Sequence, residues 1–314
     1  MPPSTAGSDI SCIEPTSGRP PATAVRAGDH SLRRGGYPSR VISWWGMSGL
    51  LGLGILAVLV LAAVLGPAVV GSPTRMDVPA RLEPPFPHHI MGTDEFGRDI
   101  LTRVISGTRI SLLAGIGAIA VGLGIGTTLG VISAYKGGPI SLVFMAMVDL
   151  MLALPSILLA IVMAALLSPS LPTAVLAVGV VNVPYYARLV WGVTQTVRVQ
   201  EYIEAARAAG AADARIIVKH IVPGVLPVIV VQATLGIGTG ILAVSGLSFL
   251  GLGAQAPTPE WGLMLSQAQR FILFAPYMGI FPGLAIMLTI LSFNLIGDTL
   301  RDKLDPLLAQ DMRR

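Results

Sequence analysis

The sequence predicts an all-α, polytopic membrane protein with six transmembrane helices. Three observations carry that expectation. Of 314 residues, 53% are hydrophobic and only 12% are charged, where a soluble domain carries roughly 25% charged residues. Six apolar windows of membrane-spanning length lie along the chain. Glycine (36) and proline (24) are abundant, and both are commoner in transmembrane helices than in soluble ones.

The windows fall at 44–70, 109–134, 141–168, 171–193, 225–250 and 276–297. The first begins at Trp44 and Trp45, where an aromatic belt meets the membrane interface. It is too long, and too far from the N-terminus, for a secretory signal. The second carries Gly122, Gly126 and Gly130 at every fourth residue, and the fifth carries Gly236 and Gly240 in the same way. Such stripes let backbones approach closely in lipid, and they suit static packing and sliding alike. Pro155 in the third window and Pro282 in the sixth are expected to kink their helices. A tight turn at Ser168, Pro169 and Ser170 separates the third window from the fourth.

Orientation follows from where the basic residues fall. One side collects Arg19, Arg26, Arg33, Arg34, Arg40, Lys136, Arg188, Arg198, Arg207, Arg215, Lys219, Arg301, Lys303, Arg313 and Arg314. These are fifteen of the 21. Both termini are therefore expected in the cytoplasm. Residues 1–40 have no apolar period and read as a disordered tail. The remainder divides into 41–107, the first helix with an extracytoplasmic segment; 108–298, a core of five helices; and 299–314, a cytoplasmic tail. The basic residues are spread among separate loops, which argues against nucleic acid. Cys12 is the single cysteine, so there is no internal disulfide.

Between the fourth and fifth windows lies a polar island, EYIEAARAAGAADARIIVKHIVP, residues 201–223. It reads as two short helices hinged at Gly210. Ala205 and Ala209, then Ala206 and Gly210, recur at i,i+4 and lay small residues along one face. Asp213 is a good N-cap for the second helix, and Pro223 is expected to stop it. A helix–glycine–helix elbow with small residues on one face suits close docking of a partner protein just outside the bilayer.

The run Glu204, Ala205, Ala206, Gly210, Ile221 and Pro223 resembles the coupling loop of ATP-binding-cassette importer permeases. Two further blocks, HHIMGTDEFGRDILTRVISGTRISL at 88–112 and GLSFLGLGAQAPTPEWGLML at 246–265, are similar to blocks of the peptide/nickel permease group. The ending FNLIGDTLRDKLDP at 293–306 is similar too. The resemblance is to the second permease subunit of dipeptide and oligopeptide systems. It implies the type I importer permease fold and a heterodimer with a paralogous permease. It also implies two ATPase domains docked on the 201–223 loop and an extracytoplasmic solute-binding protein. Di- or oligopeptides are the expected substrate, with nickel or glutathione-like solutes as alternatives. ATP and magnesium belong to the partner subunits, and this chain needs no cofactor of its own.

Asp149 is the one acid well inside a window, and an intramembrane carboxylate is a functional candidate. A structural pair with an arginine or a backbone donor is the favoured reading. Where related permeases often carry an arginine one turn earlier, this chain has Ala146, so the partner is unidentified. His88, His89, Asp94, Glu95 and Asp99 lack metal-ligand spacing, because adjacent histidines point apart. A structural role is expected instead: Asp94, Arg98 and Asp99 pair, and Gly92 and Gly97 permit turns. Pro257, Pro259 and Trp261 read as a rigid outer cap, with an interfacial anchor as the other reading of Trp261.

No phosphate-binding G-x-x-x-x-G-K-[ST] motif, H-E-x-x-H or G-x-S-x-G occurs, so the chain is read as a non-catalytic subunit. An ion-coupled secondary transporter would need inverted repeats and midplane ion-binding residues. An intramembrane enzyme would need paired catalytic side chains at membrane depth. Asp149 alone supports neither.

Overall fold

Apolar runs this long satisfy their backbone polar groups in lipid only as helices, and the described residues are helical with no strand. The computed structural model describes residues 40–304, with side chains from residue 45. The tail before residue 40 and the end of the C-tail, with Cys12, Arg19, Arg26, Arg33, Arg34, Arg313 and Arg314, lie outside the described residues.

The first window forms α1 (Arg40–Val69), broken at Gly46, whose φ of 62° and ψ of 175° are non-helical. Helix α2 (Ile100–Lys136) starts well before residue 109 because Asp99 caps it, accepting from the Thr102 N–H at 2.8 Å. The third window splits into α3 (Gly138–Leu152) and α4 (Ser156–Leu166), bent by 89° at a break that contains Pro155. Proline has no N–H for the ladder and disfavours helical backbone before it. Against six expected crossings, five helices are long and apolar enough to span, and the α3–α4 pair makes a sixth crossing if its two bent halves act as one span.

Helix α5 (Leu171–Val197) starts at Ser170, whose hydroxyl accepts from the Thr173 N–H. Then come α6 (Glu201–Ala208), α7 (Asp213–Ile216), α8 (Val222–Phe249), α9 (Trp261–Ala268) and α10 (Tyr277–Leu304). Pro282 lies inside α10, which runs on without interruption.

Pro223 does not stop its helix. Residues Ile217–Ile221 form a π turn, in which the Val222 N–H bonds to the Ile217 carbonyl, five residues back. This one-residue offset restarts the ladder at Val222, and Pro223 occupies a first-turn position that needs no N–H. Asp213 to Phe249 therefore runs as one apolar span.

Helix α2 packs along α5, and α8 closes against both. The glycine stripes make this approach. A Cβ on Gly126 would sit 2.7 Å from the Val183 carbonyl, and one on Gly130 would sit 2.6 Å from the Ala187 carbonyl. Gly240 does the same toward Gly115 and Ile119 on α2. Close backbone contact is how helices associate when lipid removes the hydrophobic drive between them. Outward, α1 and α3 expose Val58, Leu61, Val64, Leu142, Val143 and Met147, as surfaces facing lipid or a partner subunit must.

The 88–112 block is a structural knot. Asp94 is buried; it accepts from the Phe96 and Arg98 N–H groups at 2.8 and 3.0 Å and from Arg98 Nε at 2.6 Å. Arg103 Nε stands 3.6 Å from the same carboxylate, while its Nη2 donates to Gln267 Oε1 at 3.2 Å. Asp99 departs from the expected pairing with Arg98: it caps α2 and contacts His89 Nδ1 at 3.1 Å. Gly92 and Gly97 have φ of 78° and 70°, and a Cβ on either would strike the backbone of Glu83 or Asp77.

Trp261 is wholly buried, so it is not an interfacial anchor. Its indole N–H donates to the Val104 carbonyl at 3.1 Å, and its backbone N–H to Ser111 Oγ at 3.2 Å. Beside it, buried Glu260 caps α9 by accepting from the Gly262 and Leu263 N–H groups at 3.0 and 2.8 Å, and takes the Ser245 hydroxyl at 3.1 Å. The loop after α8 is thereby riveted to α2.

Candidate functional site

The polar island folds as the elbow expected of it, and the backbone shows why. At the end of α6 the Ala211 N–H bonds to the Ala206 carbonyl at 3.1 Å and the Gly210 N–H to the Arg207 carbonyl at 3.0 Å. That pair of bonds is a Schellman cap, which needs a left-handed residue after the helix. Gly210 supplies it with φ of 79°. The chain then reverses into α7.

Apolar residues anchor the elbow. Ile203, Ile216 and Ile221 are completely buried and join Val131, Val190 and Val225 in one cluster, with Ala206 and Ala211 packed against it. Burying a full isoleucine contributes roughly 1.5–3 kcal/mol, so three such anchors hold the elbow firmly to the bundle. Ile221 therefore belongs to the inner face, and Ala206 is small because it lies against this core.

The outer face is left to Glu201, Glu204, Ala205, Ala208, Ala209 and Gly210, all exposed. Nothing stands within 4 Å of where a Gly210 Cβ would project. This face is nearly flat, because its alanines and glycine have no reach, and Glu204 is its central charge. Pro223 is also exposed, in the helix beyond the π turn.

Asp213 does not cap α7. The N-cap is Ala212, and the Asp213 carboxylate is turned instead to Tyr135 at the end of α2, accepting from its hydroxyl at 2.6 Å. Arg207 lies over the Tyr135 ring, 5.9 Å from its centre. Arg198 Nη1 donates to the Ala134 carbonyl at 2.7 Å. Three polar contacts thus tie the elbow and the end of α5 to the end of α2. The sequence reading missed Tyr135 and Arg198; their only signal is a polar tip placed at the end of an apolar window.

Asp149 is remote from the elbow's outer face. Its partner is Arg188 on α5, with Nη1 3.3 Å from Oδ1. Arg188 lies inside α5, within the fourth window. The knot at Gly92, Asp94, Gly97, Arg98 and Asp99 forms a third group, at the beginning of α2 and so at the opposite end of that helix from the Tyr135 tether.

The family described as Binding-protein-dependent transport system inner membrane component matches residues 126–310. A dipeptide transport system permease protein of Alkalihalophilus pseudofirmus is 49% identical over 258 residues, 82% of this chain and 85% of that protein. A glutathione transport system permease protein of Pectobacterium atrosepticum is 48% identical over 224 residues, 71% of this chain and 74% of that protein. Among solved structures, an inward-facing MetNI methionine ABC transporter chain superposes with a TM-score of 0.54 at 23% identity, over 66% of this chain and 98% of that one. That likeness carries the fold alone, and it is the type I importer permease fold.

Proposed function

The chain belongs to the family of binding-protein-dependent transport system inner membrane components, and from this premise we propose that it is a permease subunit importing di- or oligopeptides by ATP-driven ABC transport. Membership places it in the cell membrane as a non-catalytic subunit that works with an ATPase and a substrate-binding protein. A glutathione-like tripeptide is the second reading, favoured by the relative transporting glutathione.

The finer reading is ours. A paralogous permease completes the path as a heterodimer, and two ATPase domains meet the elbow's outer face. Both termini and the elbow lie in the cytoplasm, while the Asp94 knot faces the binding protein. One observation carries the elbow's role. Its inner face is buried by Ile203, Ile216 and Ile221, whereas its outer face presents small residues around Glu204. A surface anchored on one side and flat on the other transmits a push without deforming. ATP-driven closure of the ATPase pair would move α6 and α7, and with them α5 and α8, between two states.

The test is dipeptide uptake in proteoliposomes holding the permease pair, ATPases and binding protein. Uptake is expected to require ATP, and Glu204→Lys is expected to reduce it at least tenfold with the complex still in the membrane. ATP-independent uptake would overturn the reading, and wild-type coupling by the Glu204→Lys complex would remove the elbow from it.

A further inference from the structure

The Asp149–Arg188 pair sits at a depth where charge is costly. Asp149 lies on α3, which starts at Gly138, and Arg188 lies on α5, which ends at Val197. Arg188 and Asp149 lie five and eight residues inside their apolar windows, about 8–12 Å at 1.5 Å per residue, and so within a ~30 Å hydrocarbon core. Yet the Arg188 and Asp149 side chains are 46% and 52% exposed. A charge facing lipid there costs about 2.5–3.5 kcal/mol or more. The pair is therefore turned away from lipid, toward the side that a second permease subunit or the path itself covers.

The neighbouring surface is mixed: Met147, Leu150 and Leu152 are exposed on α3, and polar groups lie on the α5 side. One turn from Arg188, the Tyr185 hydroxyl donates to Gln232 Oε1 at 3.1 Å, bridging α5 to α8 on the exposed side. Two cavities of about 340 and 170 Å³ adjoin, sharing Ser156, Val181 and Asn182. The larger is set in the α3–α4 bend and is lined by Met151 and Tyr185, two and three residues along their helices from Asp149 and Arg188. The pair is also incomplete. The ion contact is a single Nη1–Oδ1 approach at 3.3 Å; the guanidinium also lies over the Trp191 ring, 5.5 Å from its centre, but it makes no hydrogen bond among the described residues, which leaves N–H donors and a carboxylate oxygen free. A pin between two helices requires neither exposure nor free donors.

We propose that Asp149 and Arg188 form a zwitterion-binding station on the translocation path, with the α3–α4 bend as the adjoining pocket. This rests on the permease reading above. A passing peptide's terminal carboxylate takes the Arg188 guanidinium, its ammonium takes the Asp149 carboxylate, and a side chain enters the cavity. One internal ion pair is exchanged for two, so both protein charges stay compensated at every stage. The station suits short peptides with both ends free.

The full complex with its binding protein, in a Cys12→Ser background, supplies the test. Ser156→Cys and Asn182→Cys are expected to react with a hydrophilic methanethiosulfonate, and to react at least threefold more slowly during turnover with saturating dialanine. No reaction at either position, or reaction that dialanine leaves unchanged, would overturn the proposal. Arg188→Gln is expected to lower dialanine uptake at least tenfold, with Arg188→Lys recovering part of it. The exchange Asp149→Arg with Arg188→Asp is expected to stay inactive; full recovery would identify a helix pin. Failure of the permease reading is distinct, since the wild-type complex itself would then take up no dialanine.

Discussion

The Tyr135 hydroxyl donates to the Asp213 carboxylate at 2.6 Å, tying the last turn of α2 to the first turn of the helix that leaves the elbow. Helix α2 is the long strut against which α5 and α8 both pack. Under the proposed coupling, the contact joins the elbow to the helix that would carry its motion across the bilayer.

Tyr135→Phe tests that link. The hydrogen bond is exposed and contributes about 0.5–1 kcal/mol, too little to unfold the bundle. Stability and assembly are expected to stay near wild type, while dipeptide moved per ATP hydrolysed falls two- to fivefold. Asp213→Asn keeps an acceptor and is expected to do less. The ratio of uptake to ATPase rate in proteoliposomes measures both, and an unchanged ratio in Tyr135→Phe would confine the contact to local structure.

Glu260→Ala is expected to be far more damaging to stability. It leaves two buried N–H groups at the start of α9, and the Ser245 hydroxyl, without their acceptor. Buried groups stripped of a partner cost about 1–3 kcal/mol, and the lost cap adds to this. Thermal unfolding in nanodiscs is expected to show a loss of about 2–4 kcal/mol, with Glu260→Gln intermediate. A midpoint within a degree of wild type would mean that the loop is held elsewhere.

The helices were legible because hydrophobic length and proline placement act locally, and Pro155 marked the α3–α4 break for that reason. Pro223 misled because a π turn, a one-residue offset set by packing of Ile216 and Ile221, removes the need for its N–H. Gly210 was readable as a hinge because only the left-handed backbone requires that residue type. Asp213 was misread because the donor that takes its carboxylate, the Tyr135 hydroxyl, is 78 residues away in sequence. The partner of Asp149 was hidden likewise: Arg188 counted only toward orientation until α3 and α5 were brought side by side.

Orientation is checked by thiol labelling of a Cys12→Ser background. Ser72 and Ala212 are both exposed, and they lie at opposite ends of the bundle's long spans. In intact cells Ser72→Cys is expected to react with an impermeant maleimide and Ala212→Cys only after permeabilisation. The reverse pattern would invert the topology, and with it the assignment of the elbow to the ATPase side.

Gly210 has two separable roles, and a substitution series resolves them. The first is backbone: φ of 79° places the residue in the left-handed region, where a Cβ costs about 1–2 kcal/mol and asparagine is tolerated best among the others. The second is reach. A Cβ here meets nothing within 4 Å, so a side chain at this position leaves into open space on the face where a partner would dock. Gly210→Asn preserves the cap and adds little bulk, and is expected to keep most uptake. Gly210→Ala strains the cap with minimal bulk, and is expected to lower stability slightly and uptake a fewfold. Gly210→Trp combines strain with a side chain projecting from the outer face, and is expected to abolish uptake and weaken co-purification of the ATPase. If Gly210→Ala and Gly210→Trp are equally impaired, the glycine serves the cap alone. If the tryptophan complex transports like wild type, the outer face does not meet the ATPase at this point.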